Sequence, residues 1–175
     1  MKQNKGITII EMIAVIVVLG LSIPILLTVW ADVAWRSSRS EAIADATFYA
    51  EELMEHVKLM RYDEHTASPW TPTSGFGTDG GSENSANSAT FNDVDDFVGT
   101  TDPAVTNVPG GFRRSVTVEY VRLVNNEWQS CGSTSCGNAT TCLACSDCCY
   151  KRITVTVTHT AGLATVSLST IVSTH

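Results

Sequence analysis

The stretch that decides the fold runs from Ile7 to Ala31 and reads ITIIEMIAVIVVLGLSIPILLTVWA. Its last 20 residues, from Met12, hold no charge, and the whole run of 25 holds only Glu11. As a helix rising about 1.5 Å per residue it extends roughly 37 Å, more than the ~30 Å hydrocarbon core of a bilayer. The apolar region of a secretory signal peptide is only about 7–15 residues and ends at a small-residue cleavage site. This run is longer and continues into a further helical pattern. Lys2 and Lys5 precede it, and Asp32 is the first charge after it. The positive-inside bias then puts the N-terminus in the cytoplasm and everything after Asp32 outside. The expectation is one helix through the lipid bilayer, followed by an extracytoplasmic body.

Glu11 is the anomaly in that run. A carboxylate inside an apolar helix is expensive and usually has a partner, although the headgroup zone of a monotopic anchor would also accommodate it. Its neighbours, Lys5-Gly6-Ile7-Thr8-Ile9-Ile10-Glu11, resemble the processing site of type IV prepilins and pseudopilins. That resemblance implies a leader over residues 1–6 and a cut by prepilin peptidase between Gly6 and Ile7. It also implies N-methylation of the new Ile7 amine, and an assembly role for Glu11 as partner of that amine in a neighbouring subunit. A small residue at Gly6 suits a protease cleft, and pairing would let two costly buried charges satisfy each other. Ile7 stands where Phe or Met is commoner in the family, Ile9 where Leu is, and Pro24 comes a few residues early. Gly20 and Pro24 are helix weak points, read equally well as a tolerated kink or a filament hinge.

Beyond the membrane the helical pattern persists. Ile43, Ala46, Ala50, Leu53, Val57 and Met60 recur in alternating steps of three and four, the stripe of an amphipathic helix. Glu41, Asp45, Glu52, Glu55 and Lys58 lie mostly off the stripe, as on a solvated face. The expected helix runs from Ile7 to Arg61: residues 7–31 in lipid, residues 32–61 packed on a globular body.

Residues 62–112 change character, with no Lys or Arg and eight acidic residues. From Thr66 to Gly111, 33 of 46 residues are Gly, Ser, Thr, Asn, Pro or Asp, the composition of loop. Trp70, Phe76, Phe91, Phe97 and Val98 are the residues that could pin this cover to the body. Within it, Asp93, Asp95 and Asp96 could offer oxygen ligands to Ca²⁺. The spacing does not match an EF-hand, and an acidic turn bonding its own backbone is the first reading. The run from Phe91 to Val98, following Lys58-Leu59-Met60-Arg61-Tyr62-Asp63-Glu64, is similar to minor pilins of the mannose-sensitive haemagglutinin type.

The rest, residues 113–175, reads as sheet. Val116, Val118 and Tyr120 alternate with Thr117 and Glu119; Ile153, Val155 and Val157 alternate with Thr154, Thr156 and Thr158; Val166 and Leu168 alternate with Thr165, Ser167 and Ser169. Period two in β-branched residues predicts three antiparallel strands, the last two joined as a hairpin through Thr160-Ala161-Gly162-Leu163. The expected fold class is α+β and pilin-like: a long N-terminal helix laid on a small antiparallel sheet.

Between the first two predicted strands, insert 131–149 carries Cys131, Cys136, Cys142, Cys145, Cys148 and Cys149. Outside the cytoplasmic membrane an even count reads first as disulfides, with 15 possible pairings. C-x-x-C spacings leave a zinc or iron–sulfur knot as the second reading. Haem attachment is excluded because Ser146 or Cys149, never His, follows each pair.

A formal net charge of −7 argues against a nucleic-acid partner that works by neutralising phosphates. His56, His65, His159 and His175 have no nucleophile and orienting acid beside them, so no enzyme and no cofactor is expected, with Ca²⁺ or Zn²⁺ as the lesser alternatives. The expected function is a structural subunit, a minor pilin or pseudopilin, with a role in assembly or adhesion. Its implied partners are other pilin subunits, prepilin peptidase and an inner-membrane assembly platform. Its implied location is the bacterial inner membrane with a periplasmic body, then the filament. A type II secretion pseudopilin and a membrane-anchored ligand-binding module are the alternatives.

Overall fold

The computed structural model describes residues 8–65, 70–78, 81–131 and 150–173. The protein is α+β, with one long N-terminal helix and a small antiparallel sheet. Helix α1 is continuous over Ile9–Lys58, and contacts divide the chain into Met1–Glu41 and Ala42–His175.

In the first unit α1 makes no core. Large apolar side chains from Ile9 to Trp35 are all about half or more exposed, and an 18-residue window has mean hydropathy 2.8 with nothing buried. By length and composition this helix can cross a membrane. Its few polar groups bond to their own backbone: Ser22 Oγ donates to the Val18 carbonyl and Thr28 Oγ1 to the Ile25 carbonyl, each at 2.8 Å. In lipid such back-bonding satisfies hydroxyls that water cannot reach. Pro24 stays inside the helix, and a side chain added at Gly20 would meet open space.

The second unit holds the core. Ala42, Ala46, Ala50, Leu53, Met54 and Val57 are the buried face of α1. The stripe therefore starts at Ala42 and not at Ile43, which is 43% exposed. The strands are β1 (Asn107–Val108), β2 (Phe112–Val124), β3 (Glu127–Ser130), β4 (Tyr150–His159) and β5 (Thr165–Ser173), ordered β1-β2-β4-β5 with β3 also on β2. All pair antiparallel, with Val116 opposite Val155 and Val155 opposite Leu168. Phe112, Val116, Val118, Ile153, Val155 and Val157 face the helix. Each such apolar side chain contributes about 1.5–3 kcal/mol by leaving water.

The opposite face is lined by hydroxyls. Ser115 and Thr117, Thr154, Thr156 and Thr158, and Thr165, Ser167 and Ser169 sit side by side in register across three strands. Thr154 and Ser169 bond at 2.9 Å, Thr156 and Ser167 at 3.0 Å. The predicted β4–β5 hairpin is present, closed by the His159 amide donating to the Ala164 carbonyl at 2.9 Å, with Gly162 at φ +69°. The predicted first strand is longer than expected and turns through Asn125 and Asn126, both at positive φ, into β3. Two left-handed residues in a two-residue hairpin turn are what Asn tolerates best after Gly.

Between helix and sheet the chain makes short 3₁₀ turns at Thr73–Gly75, Ser88–Thr90, Asp95–Phe97 and Pro109–Gly111, and a four-residue helix α2 (Pro103–Thr106). Phe91, Val94, Phe97 and Val105 bury themselves in the core, while Trp70, Phe76 and Val98 are partly covered. Asp102 caps α2, accepting from the Ala104 amide at 2.8 Å and the Ser88 amide at 2.6 Å. These bonds hold its carboxyl below the usual range, the Ser88 contacts foremost.

Candidate functional site

The residues singled out from the sequence fall in three places. Gly6 and Ile7 lie outside the described residues, as do Cys136, Cys142, Cys145, Cys148 and Cys149. Glu11 sits in the first turn of α1, where its amide N–H donates to the Thr8 carbonyl at 3.1 Å and to Thr8 Oγ1 at 3.3 Å. Its carboxylate is exposed among Ala14, Val15 and Val18. Among the described residues it has no hydrogen-bond or ionic partner. In lipid a lone carboxylate on an apolar helix face is costly.

Cys131 follows β3 and is buried against Tyr120, whose carbonyl accepts the Cys131 amide at 2.8 Å. The start of the cysteine insert is thus anchored to the sheet.

The acidic turn is spent on its own chain. Asp93 Oδ1 accepts the amides of Asp95 (2.9 Å) and Asp96 (3.3 Å). Asp96 Oδ2 accepts those of Asn92 (2.7 Å) and Asp93 (3.2 Å). Asp95 reaches away, its Oδ1 2.6 Å from Nζ of Lys151 on β4. Among the described residues no group of three His, Cys, Asp or Glu side chains is placed to hold a metal ion.

Lys151 is the residue that reading the sequence missed. Its side chain is wholly buried, and Nζ donates to the Tyr62 carbonyl (2.7 Å), Asp63 Oδ2 (3.0 Å) and Asp95 Oδ1 (2.6 Å). The rings of Tyr62, Phe76 and Tyr120 surround it, with centroids at 4.6, 5.3 and 5.6 Å. Asp63, just past the end of α1, is equally buried and also accepts the Thr71 amide (3.0 Å), Thr71 Oγ1 (3.2 Å) and the His65 amide (3.1 Å). Burial alone would raise the Asp63 carboxyl; the Lys151 charge and the Thr71 and His65 hydrogen bonds outweigh it and hold it below the usual range. Asp95 goes the other way. Burial pushes it up to about 7 against the pull of Lys151. Burial, with Asp96 beside it, raises Asp93 as well.

A signal for this cluster was present. Lys151 has the same parity as Ile153, Val155 and Val157, so an inward-facing lysine was implicit in the alternation. The 62–112 segment, acidic and without a cation of its own, is where its partners had to lie.

No protein-family model, no curated protein and no solved structure matches the chain.

Proposed function

We propose that this chain is a structural subunit of a type IV pilus-like filament, a minor pilin or pseudopilin cut between Gly6 and Ile7 by a prepilin peptidase and methylated at Ile7. The observation that carries the reading is helix α1. One continuous helix supplies an exposed apolar run bearing Glu11 and, from Ala42, a buried face in the core of the second unit. An ordinary anchored module needs no helical continuity between its anchor and its core. A subunit that leaves the bilayer for a filament does, because the exposed run must find protein neighbours to replace lipid. In that setting Glu11 pairs with the Ile7 amine of the next subunit, and both charges are neutralised where water is scarce. The precursor resides in the bacterial inner membrane with its sheet unit in the periplasm. The acidic loop and cysteine insert are then the segments available for contact outside the filament axis.

The test is the N-terminus of the native product, with and without the peptidase. Gly6→Val is expected to leave an uncut, membrane-bound precursor, whereas the wild type begins at Ile7. A native product beginning at Met1 overturns the reading. Recovery of the mature chain in sheared surface filaments separates a pilus role from a secretion pseudopilus.

A further inference from the structure

We propose that Lys151 and Asp95 become joined by an intramolecular amide bond between side chains, closed by the fold itself with release of water. Nothing in this inference depends on the filament reading.

Geometry is the first ground. Nζ and Oδ1 are 2.6 Å apart, and the two side chains are 0% and 1% exposed. The backbone of β4 holds one partner and the Asp95–Phe97 turn the other, so approach is permanent. Held pairs of this kind react as though at about 10⁵–10⁸ M.

The second ground is the division of labour between the two aspartates. Asp63 is tied by Thr71 and His65 as well as by Lys151, and it stays an anion. Among the described residues Lys151 is the only hydrogen-bond partner of the Asp95 carboxyl. Asp95 is therefore the electrophile and Asp63 the positioned base. The aromatic wall is the third ground. Tyr62, Phe76 and Tyr120 exclude bulk water, which disfavours ion pairs relative to neutral partners and removes the reagent that would reverse the reaction.

The step balances without any co-reactant. A proton passes from the Lys151 ammonium to the Asp95 carboxylate along their hydrogen bond, leaving a neutral amine and a carboxylic acid. Burial already raises the affinity of Asp95 for that proton. The Nζ lone pair attacks the Asp95 carboxyl carbon, forming a C–N bond. Asp63 Oδ2, 3.0 Å from Nζ, takes a proton from the attacking nitrogen and returns it to the departing hydroxyl. The C–O bond breaks, water leaves, and Asp63 ends as it began. Tyr62 and Asp63 also line a cavity of about 540 Å³. The bond ties the loop between helix and sheet covalently to the central strand.

The experiment uses the full chain, purified in detergent, denatured, reduced, alkylated at cysteine and acetylated at free amines. Weighed before acetylation, the chain is expected to be short by one water relative to the same chain with all side chains free; after acetylation it is short by that water and one acetyl group. Digestion is expected to give a branched peptide containing Asp95 and Lys151, with Lys151 not acetylated. Asp95→Asn should close by losing ammonia and reach the same final mass as the wild type, and Lys151→Arg should carry no deficit. Asp63→Asn should leave Lys151 acetylated in most molecules. A wild-type chain of full mass with acetylated Lys151, or a deficit without the branched peptide, overturns the proposal.

Discussion

Arg114 on β2 reaches Glu52 on α1 at 3.1 Å, across 62 residues of sequence. The same guanidinium donates to the carbonyls of Val105 and Ala104, both at 2.8 Å. Those carbonyls end the four-residue helix α2, whose last acceptors have no partner within so short an element. One arginine thus joins helix, loop and sheet. Burial lowers its pKa, and the Glu52 charge opposes that shift.

The two partners of this contact should respond unequally. Arg114→Ala removes three charge-assisted bonds at a buried side chain and is expected to cost roughly 2–4 kcal/mol. Glu52→Gln should cost less than about 1 kcal/mol, because the Glu52 side chain is 57% exposed. Urea midpoints of the full chain in detergent decide this, and equal losses would contradict the assignment.

Lys151→Met should be the most damaging single change in the second unit. It takes the lysine nitrogen away from Asp63 and Asp95, both buried, and removes any bond between Lys151 and Asp95, a loss of at least about 3–5 kcal/mol. Adding Asp63→Asn and Asp95→Asn to the same chain should recover much of it, since the burial cost then falls on neutral groups. The urea midpoint of the triple variant should exceed that of Lys151→Met.

Asp102 predicts an acid limit. Its folded pKa lies below the ordinary carboxyl value of 3.8, so its contribution is present above 3.8 and is lost as pH falls through the folded value. Protection of the Ser88 and Ala104 amides, taken relative to intrinsic exchange at each pH, should therefore fall below about pH 4 in the wild type. In Asp102→Asn that protection should already be low at neutral pH and respond much less to acid.

Glu11→Ala should leave processing intact but reduce incorporation into filaments, because the Ile7 amine then lacks its partner. An ordinary anchor predicts no defect, since removing a charge only improves residence in lipid. Immunodetection in sheared filaments is the measurement, and equal amounts of mutant and wild type would favour the anchor.

Much of the architecture was legible from periodicity. The exposed apolar run, the alternation around Val116, Ile153 and Val166, and the hairpin at Gly162 each follow from local rules that tertiary contact did not override. The stripe on α1 was legible at Ala46, Ala50, Leu53 and Val57, but its first member was placed at Ile43 instead of Ala42. Hydrophobicity favours Ile43, whereas the buried face holds the smaller Ala42, and small size is not what a hydropathy pattern measures. The Asn125–Asn126 turn was missed because its flank, Val124 and Glu127, lacks a clear apolar alternation. Lys151 and Arg114 were missed for another reason. A charged residue in a strand reads as solvent-facing until its partners are known, and those partners lie 88 and 62 residues away.

The hydroxyl face of the sheet has a consequence for the medium the protein meets. From Ser115 to Thr117, from Thr154 to Thr158 and from Thr165 to Ser169 it presents nothing that titrates and no charge for salt to screen. Its hydration shell should be the same in dilute buffer and in brine, and at pH 5 as at pH 9. Ionic responses on that side are confined to the borders, at Arg113 and at the Glu119–Arg152 pair.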